Sequence, residues 1–394
     1  MKNCVRCGYP AHHPLGLQFN AEGVCSGCVI HEEKDRLDWS PRLKKLKGVL
    51  ESFKDPSGKR HDCIIPVSGG RDSFFIVDMI KNEFGLNPLL VTFNRHYNTR
   101  AGIFNLEQLR TLLGCDIITM TLNPDVYKRL IRYSLEALGS IHWPYLCGST
   151  VFPVQVAVKK KIPLIVWGAH QGIDQVGMFS HLDEVEMTRR YRKEHDLMGY
   201  EPEDAALRGV AEEDVSPLFY PSDIELAEVG VRGIYLNNYI RWDTKAQHEA
   251  MLKKYDYYTG PQMRTFDAYN DVDCQIYSSL HDEIKRRKWG YGKIHDHVAR
   301  EIRLGRLSLS QGQALVAHYL QAGDISPHAA SFCAWLGVEV DEFWAHIDRH
   351  ARDIESSSAV PEISVMPLPF IHNHPSRFRD EPEGGRLLMK GMAD

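Results

Sequence analysis

The most constraining feature is a six-residue loop, Ser68-Gly-Gly-Arg-Asp-Ser73, set between an apolar run and an amphipathic one. Cys63-Ile-Ile-Pro-Val67 reads as a short buried strand, and Phe74, Phe75, Val77, Met79, Ile80 and Phe84 give a helix that ends at Gly85. Gly69 and Gly70 let the backbone approach a ligand closely. The free N–H groups and the dipole at a helix start favour an anion there. Ser68 and Ser73 add hydroxyl donors and Arg71 adds a cation. Asp72 would repel a bare phosphate, so its expected task is to hold Mg²⁺. The loop lacks the Gly-Lys-Ser/Thr of a Walker A motif. The plain alternative is an ordinary strand-to-helix turn with a serine cap.

The pattern then repeats. Strands are expected at Leu89–Phe93, Asp116–Met120 and Pro163–Trp167, with more strand material in Val231–Ile240. Helices are expected at about 102–113, at 124–138 with Pro124 in a helix-start position, and at about 151–161. Apolar strands alternating with amphipathic helices imply an α/β fold, a parallel sheet with helices on both faces. Ligands of such sheets sit at the carboxyl ends of the strands. Gly168, His170 and Asp174 follow the fourth strand on that edge.

Residues 1–35 hold little apolar material and need a staple. Cys4-x-x-Cys7 and Cys25-x-x-Cys28, separated by 17 residues, have the spacing of a four-cysteine zinc site. Such a closed site is structural, and His12, His13 and His31 are bystanders to it. A redox pair or a coincidence is the competing reading. The expected organisation is a zinc ribbon over 1–35, a linker helix over 36–60, a nucleotide domain over 61–242, a helical region over 243–353 and an extended tail over 354–394. Short helices are expected at Ser308–Gln321, Ser326–Leu336 and Val340–His350.

Net charge is −5 over 394 residues, which argues against a broad cationic nucleic-acid surface. No apolar run approaches the ~18 residues of a membrane span, and the first residues lack a secretory apolar core. The nine cysteines do not form a secreted disulfide framework, so a cytoplasmic location is expected. A charged segment contains His181, Asp183, Glu184 and Glu186, then Arg189, Arg190 and Arg192. The acids either manage protons or form a solvated loop. The arginines either pair with an anionic substrate or balance those acids.

The loop resembles the pyrophosphate loop, Ser-Gly-Gly-x-Asp-Ser, of the N-type ATP pyrophosphatases (the HUP-like fold of GMP synthetase, argininosuccinate synthetase and tRNA thiolation enzymes). Asn87-Pro-Leu-Leu-Val-Thr-Phe-Asn94, Asn105-Leu106, His142-Trp-Pro144 and Ile162-Pro-Leu-Ile-Val-Trp-Gly168 join it, and a cysteine ribbon precedes them. Over most of residues 1–350 the set resembles the N-acetyl sugar amidotransferases of bacterial surface-polysaccharide synthesis. Many members carry Gly-Glu after the fourth strand and Glu-Tyr-Gly-Gly later. Here the chain reads Gly168-Ala-His-Gln-Gly-Ile-Asp-Gln-Val-Gly177, similar to a subfamily associated with acetamidino nonulosonic acids such as pseudaminic acid.

The resemblance implies an ATP-dependent, AMP-forming enzyme of lipopolysaccharide or flagellin glycan synthesis. It would convert the acetamido group of an anionic, nucleotide-activated sugar into an acetamidino group. Ser68, Gly69, Gly70, Arg71 and Ser73 would grip the β,γ-phosphates, with Asp72 on the metal. Thr92, Phe93, Asn94 and Gly168 would line the AMP half, though Phe93 reads equally well as core. His170 would contact phosphate or move a proton and Asp174 would bind Mg²⁺, unless they are a structural histidine and a capping aspartate. No glutaminase is visible beyond the lone Cys147. Ammonia is therefore expected from a separate glutaminase subunit, with a cyclase-like channel subunit as a further candidate partner. Nucleic acid and membrane are not expected as partners. The rival readings are a tRNA sulfurtransferase and a DNA-binding regulator.

Overall fold

The computed structural model describes residues 3–14, 16–70, 72–269, 271–321 and 323–351. The expected tail over 354–394, and residues 352–353 of the helical region before it, lie outside the described residues. Two helices follow the first cysteines, α1 (Ser26–Arg36) and α2 (Trp39–Phe53). Five strands then form one parallel sheet: β1 (Cys63–Pro66), β2 (Pro88–Phe93), β3 (Ile117–Met120), β4 (Leu164–Trp167) and β5 (Arg232–Tyr235). Their spatial order is β3-β2-β1-β4-β5, with all neighbours parallel. The order reverses at β1, whose Ile64 is in register with Leu89 on one side and Ile165 on the other. The crevice at such a switch point, beyond the carboxyl ends of β1 and β4, is where an open α/β sheet places its ligand.

The strands read as continuous apolar runs because both faces are covered. Ile64, Leu89, Val91 and Ile165 pack on one face with Val151 and Val154 of α6 (Trp143–Lys160). Cys63, Ile65, Leu90, Leu164 and Val166 pack on the other. There they meet Leu46 and Leu50 of α2 and Phe74 and Val77 of α3 (Ser73–Asp78), with Leu109 of α4 (Arg100–Leu113). The sheet therefore carries helices on both faces, as the alternation predicts.

Local chemistry sets the helix ends. The Thr99 hydroxyl accepts from the Gly102 N–H at the start of α4, and Gly114 closes it in the left-handed region at φ 58°. Asn123 caps α5 (Pro124–Leu138), whose first residue is a proline. The expected helix at 151–161 starts eight residues earlier, at Trp143. Pro144 sits in its first turn, where no backbone donor is lost, and Pro153 is accommodated within it.

The C-terminal region is helical, with Gln275–Trp289, Lys293–Arg303, Leu309–Gln321, Ser326–Leu336 and Val340–Arg349. Leu280, Ile284, Phe332 and Phe343 share a core with Tyr127 and Leu130 of α5. The cysteine segment packs its Tyr9, Leu17 and Phe19 with Ala299 of helix Lys293–Arg303. No helix among the described residues is long and apolar enough to cross a membrane.

Candidate active site

A cavity of about 870 Å³ opens at the carboxyl ends of β1, β2 and β4. Ser68, Gly70, Asp72 and Ser73 form its floor. Gly69 has φ 77°, and a Cβ there would lie 3.0 Å from the Leu106 nitrogen, so the loop presses on α4 in a conformation that suits glycine. Within the loop the Gly70 N–H donates to Ser68 Oγ at 3.1 Å, and the Ser68 N–H donates to Ser73 Oγ at 3.3 Å. Asp72 occupies the N-cap position of α3. Arg71 lies outside the described residues.

The C-terminal region closes the cavity from above. Asp273 is buried beside the loop, and a Cβ on Gly70 would stand 3.1 Å from its Oδ1. Its Oδ2 accepts from Arg95 Nη2 at 2.8 Å. Burial raises the Asp273 pKa, against the pull of Arg95 and a hydrogen bond to Ser68. Arg95 is also buried. It donates to the Tyr145 hydroxyl at 2.9 Å and stands 4.1 Å over that ring. The result is a charged pair next to the Ser68–Ser73 loop. Arg95 sits two residues past β2, where the edge rule for parallel sheets could have found it. Asp273 lies in a segment with no motif, and only the fold brings it here.

Several expected site residues sit elsewhere. Strand alternation points Val91 and Phe93 into the cavity, so Thr92 is buried away from it. Phe93 lines the cavity and is core as well, since its ring covers Gly148, where a Cβ would clash at 2.3 Å. Asn94 organises a turn instead of the cavity. Its Oδ1 accepts from the His96 N–H and from Asn98 Nδ2 at 2.9 and 2.7 Å. Gly168 does line the cavity, with Ile76 close behind it.

His170 does not reach the cavity. Its ring packs at 4.3 Å from Tyr191 and 4.7 Å from Tyr235, and burial holds it neutral, well below the usual histidine range. That corrects the expectation of a phosphate contact: an aromatic pocket behind β4 claims the ring. Asp174 lines the cavity, but its Oδ1 accepts from Lys34 Nζ of α1 at 2.7 Å. An internal cation therefore stands where a metal was expected. The charged segment is held by ion pairs within the protein, most of them to residues outside it. His181 bonds Glu33, Glu184 meets Lys45, Glu186 pairs with Arg232, and Arg189 and Arg192 share Glu201. Arg190 pairs with Glu194.

The four cysteines converge. All are buried, with Sγ atoms within 4.8 Å of one another. Cys4 and Cys28 Sγ lie 3.9 Å apart, and Cys7 and Cys25 Sγ lie 3.7 Å apart. A tetrahedral ion with bonds of about 2.3 Å needs sulfurs roughly 3.8 Å apart, so the residues fit zinc. Arg303 Nη2 points at Cys25 Sγ at 3.5 Å and Cys7 Sγ at 3.7 Å, while its Nη1 donates to the Gln175 carbonyl at 2.6 Å. Arg303 and Gln175 also line the cavity. The cysteine cluster is thereby tied to the cavity wall, a link that spacing alone could not show.

Residues 252–357 match the family described as "LPS biosynthesis protein WbpG-like, C-terminal domain". An uncharacterised protein of Methanocaldococcus jannaschii is 28% identical over 126 residues, which is 31% of this chain and 43% of that protein's length. Among solved structures, the chain is similar to the U34-tRNA thiolase NcsA of Methanococcus maripaludis with its 4Fe-4S cluster. The identity there is 15% and the TM-score 0.29, over 84% of this chain and 96% of that one. The NMN synthetase of Francisella tularensis is 14% identical with a TM-score of 0.27, over 56% and 89%.

Proposed function

We propose that this chain is an ATP-dependent, AMP-forming amidotransferase that converts an acetamido group of a bacterial surface sugar into an acetamidino group. One observation carries the reading. A phosphate-type loop and helices matching a lipopolysaccharide-synthesis family wall the same cavity.

An acetamido group is a poor electrophile. Its oxygen attacks the α-phosphorus of ATP, pyrophosphate leaves, and an O-adenylyl imidate forms. Ammonia adds to the imidate carbon, AMP leaves with the C–O electrons, and the acetamidine remains. Ser68, Gly69, Gly70 and Ser73 hold the β,γ-phosphates with fixed donors, which lowers the cost of the charge that develops as pyrophosphate departs. Asp72, at the head of α3 on the cavity floor, would hold Mg²⁺, which neutralises phosphate charge when bound, while Asp273 stays paired with Arg95. Arg95 gives the same corner a cation. Val91 and Phe93 keep water from the adenylate. Zinc on Cys4, Cys7, Cys25 and Cys28 is structural, since four thiolates leave no open position. Ammonia comes from a separate glutaminase subunit. Cys147 is buried off the cavity and its thiol is pushed up by burial, which disfavours the nucleophilic thiolate.

The test is a reaction of the purified chain with ATP, ammonium and acetamido sugars. AMP, pyrophosphate and a sugar with one oxygen replaced by NH are expected. Glutamine should not replace ammonium unless a partner is added. ATP turnover that requires sulfide and tRNA instead would overturn the reading.

A further inference from the structure

One further stretch of the cavity wall has no part in the reaction as set out above. It is built from the residues that start α6 and from helix Gln275–Trp289. His142 and His281 stack there, with ring centroids 4.6 Å apart and planes 29° apart. Both line the cavity, and each has a buried Nδ1 without a hydrogen-bond partner. Burial holds both rings below the usual histidine range, His281 at about 4, so both are neutral near pH 7. A neutral imidazole can carry its proton on Nδ1 and donate it.

Lys288 stands about two turns further along the same helix and also lines the cavity. Its Nζ donates to the carbonyls of Leu138 and Gly139 at 2.6 and 3.2 Å. Those bonds use two of its three donors and leave one. Among the described residues no carboxylate pairs with it, and desolvation lowers its pKa to about 8. A half-buried cation without a counter-ion, next to two unused ring donors, suits an oxyanion. The arginines at 189, 190 and 192, the other candidates for that task, are held by glutamates.

We propose that His142, His281 and Lys288 form an anion subsite that takes the carboxylate or phosphate of the second substrate. That this substrate is the acetamido sugar rests on the amidotransferase reading. The subsite and the loop line the same cavity, so a sugar held there by its charged end shares that space with ATP on the loop.

Calorimetry on the full chain tests it, with a non-hydrolysable ATP analogue present. The probes are N-acetylneuraminic acid for the carboxylate, UDP-N-acetylglucosamine for the diphosphate, and N-acetylglucosamine as the neutral control. One of the two anionic probes should bind about tenfold or more tighter than the neutral one. Lys288→Met should remove that advantage, His281→Asn should reduce it, and Lys288→Arg should keep most of it. Affinity for the neutral probe and for the ATP analogue should stay within about twofold in all three variants. Which anionic probe responds identifies the group. Equal binding of all three probes by the wild type would overturn the subsite, as would an equal loss for all three in Lys288→Met, which would mark a mere cap on α5. AMP formation is scored separately. Selective binding without AMP would sink the amidotransferase reading and leave the subsite. AMP formation without selectivity would do the reverse.

Discussion

Asp72 heads α3 at the cavity floor, and its value there is its charge. Asp72→Ala should lower AMP and pyrophosphate formation by about 100-fold or more while the thermal midpoint stays close to that of the wild type. Near-normal turnover would remove the loop from the mechanism. Arg95 is a different case, because its charge is buried against Asp273. Arg95→Met should cost about 3–5 kcal/mol in urea unfolding, since it strands a buried carboxylate. Adding Asp273→Leu should recover much of that loss, and a double mutant no more stable than Arg95→Met would contradict the pairing. At this scale the sequence was partly legible. Ser68, Gly70, Asp72 and Ser73 announce themselves because strand, glycines and helix start are contiguous. Asp273, His281 and Lys288 come from a helical region whose local pattern says only that it packs. His170 misled because a residue just past a strand can face either side, and aromatic burial decided which.

Helices and strands were more legible, because burial imposes a period on them. The strands at 88–93 and 164–167 and the helices at 124–138 and 326–336 match the apolar runs almost residue for residue. The start of α6 was missed because His142-Trp-Pro144 looks like a loop, while a proline in a first turn is compatible with helix. Between 175 and 230 the elements are too short for a period to show. How elements meet is not written in periodicity at all. Gly102 of α4 illustrates this: a Cβ there would lie 2.3 Å from the Asp273 Cα, backbone against backbone. Gly102→Ala should therefore destabilise by about 1–3 kcal/mol and expose the 271–274 segment to hydrogen exchange. Gly48, exposed within α2 with nothing within 4 Å of its would-be Cβ, is the control. Gly48→Ala should stabilise by about 0.5–1 kcal/mol through helix propensity. Equal effects at the two sites would show that the contact on Gly102 is not real.

The cavity belongs to the whole molecule, since the cysteine segment, the sheet and the C-terminal helices each supply part of its wall. Burial pushes His13 down to about 3 and His281 and His297 to about 4, and all three line it. Their unfolded value is near 6.5. A lowered folded pKa gives stability that is complete above the unfolded value and is lost as pH falls towards the folded one. Each histidine should therefore cost about 1.4 kcal/mol per pH unit between pH 6.5 and 4, or about 4 kcal/mol together at pH 5.5. Thermal midpoints should drop steeply from pH 7 to 5.5 and stay level from 7 to 8, and His297→Gln should flatten the slope. A level profile across pH 5.5 would refute the buried neutral state. Metal analysis should return about one zinc per chain, lost in Cys4→Ser together with protection of helix Lys293–Arg303. Arg303 meets Cys25 from 278 positions away in the chain. A ribosome adding roughly 5–20 residues per second needs about 14–56 seconds to cover that distance. For that interval each nascent chain carries its four thiols without the helix that later covers them. All four candidate ligands thus exist well before the helix that meets them, so a metal bound there would have that surface ready when Arg303 arrives.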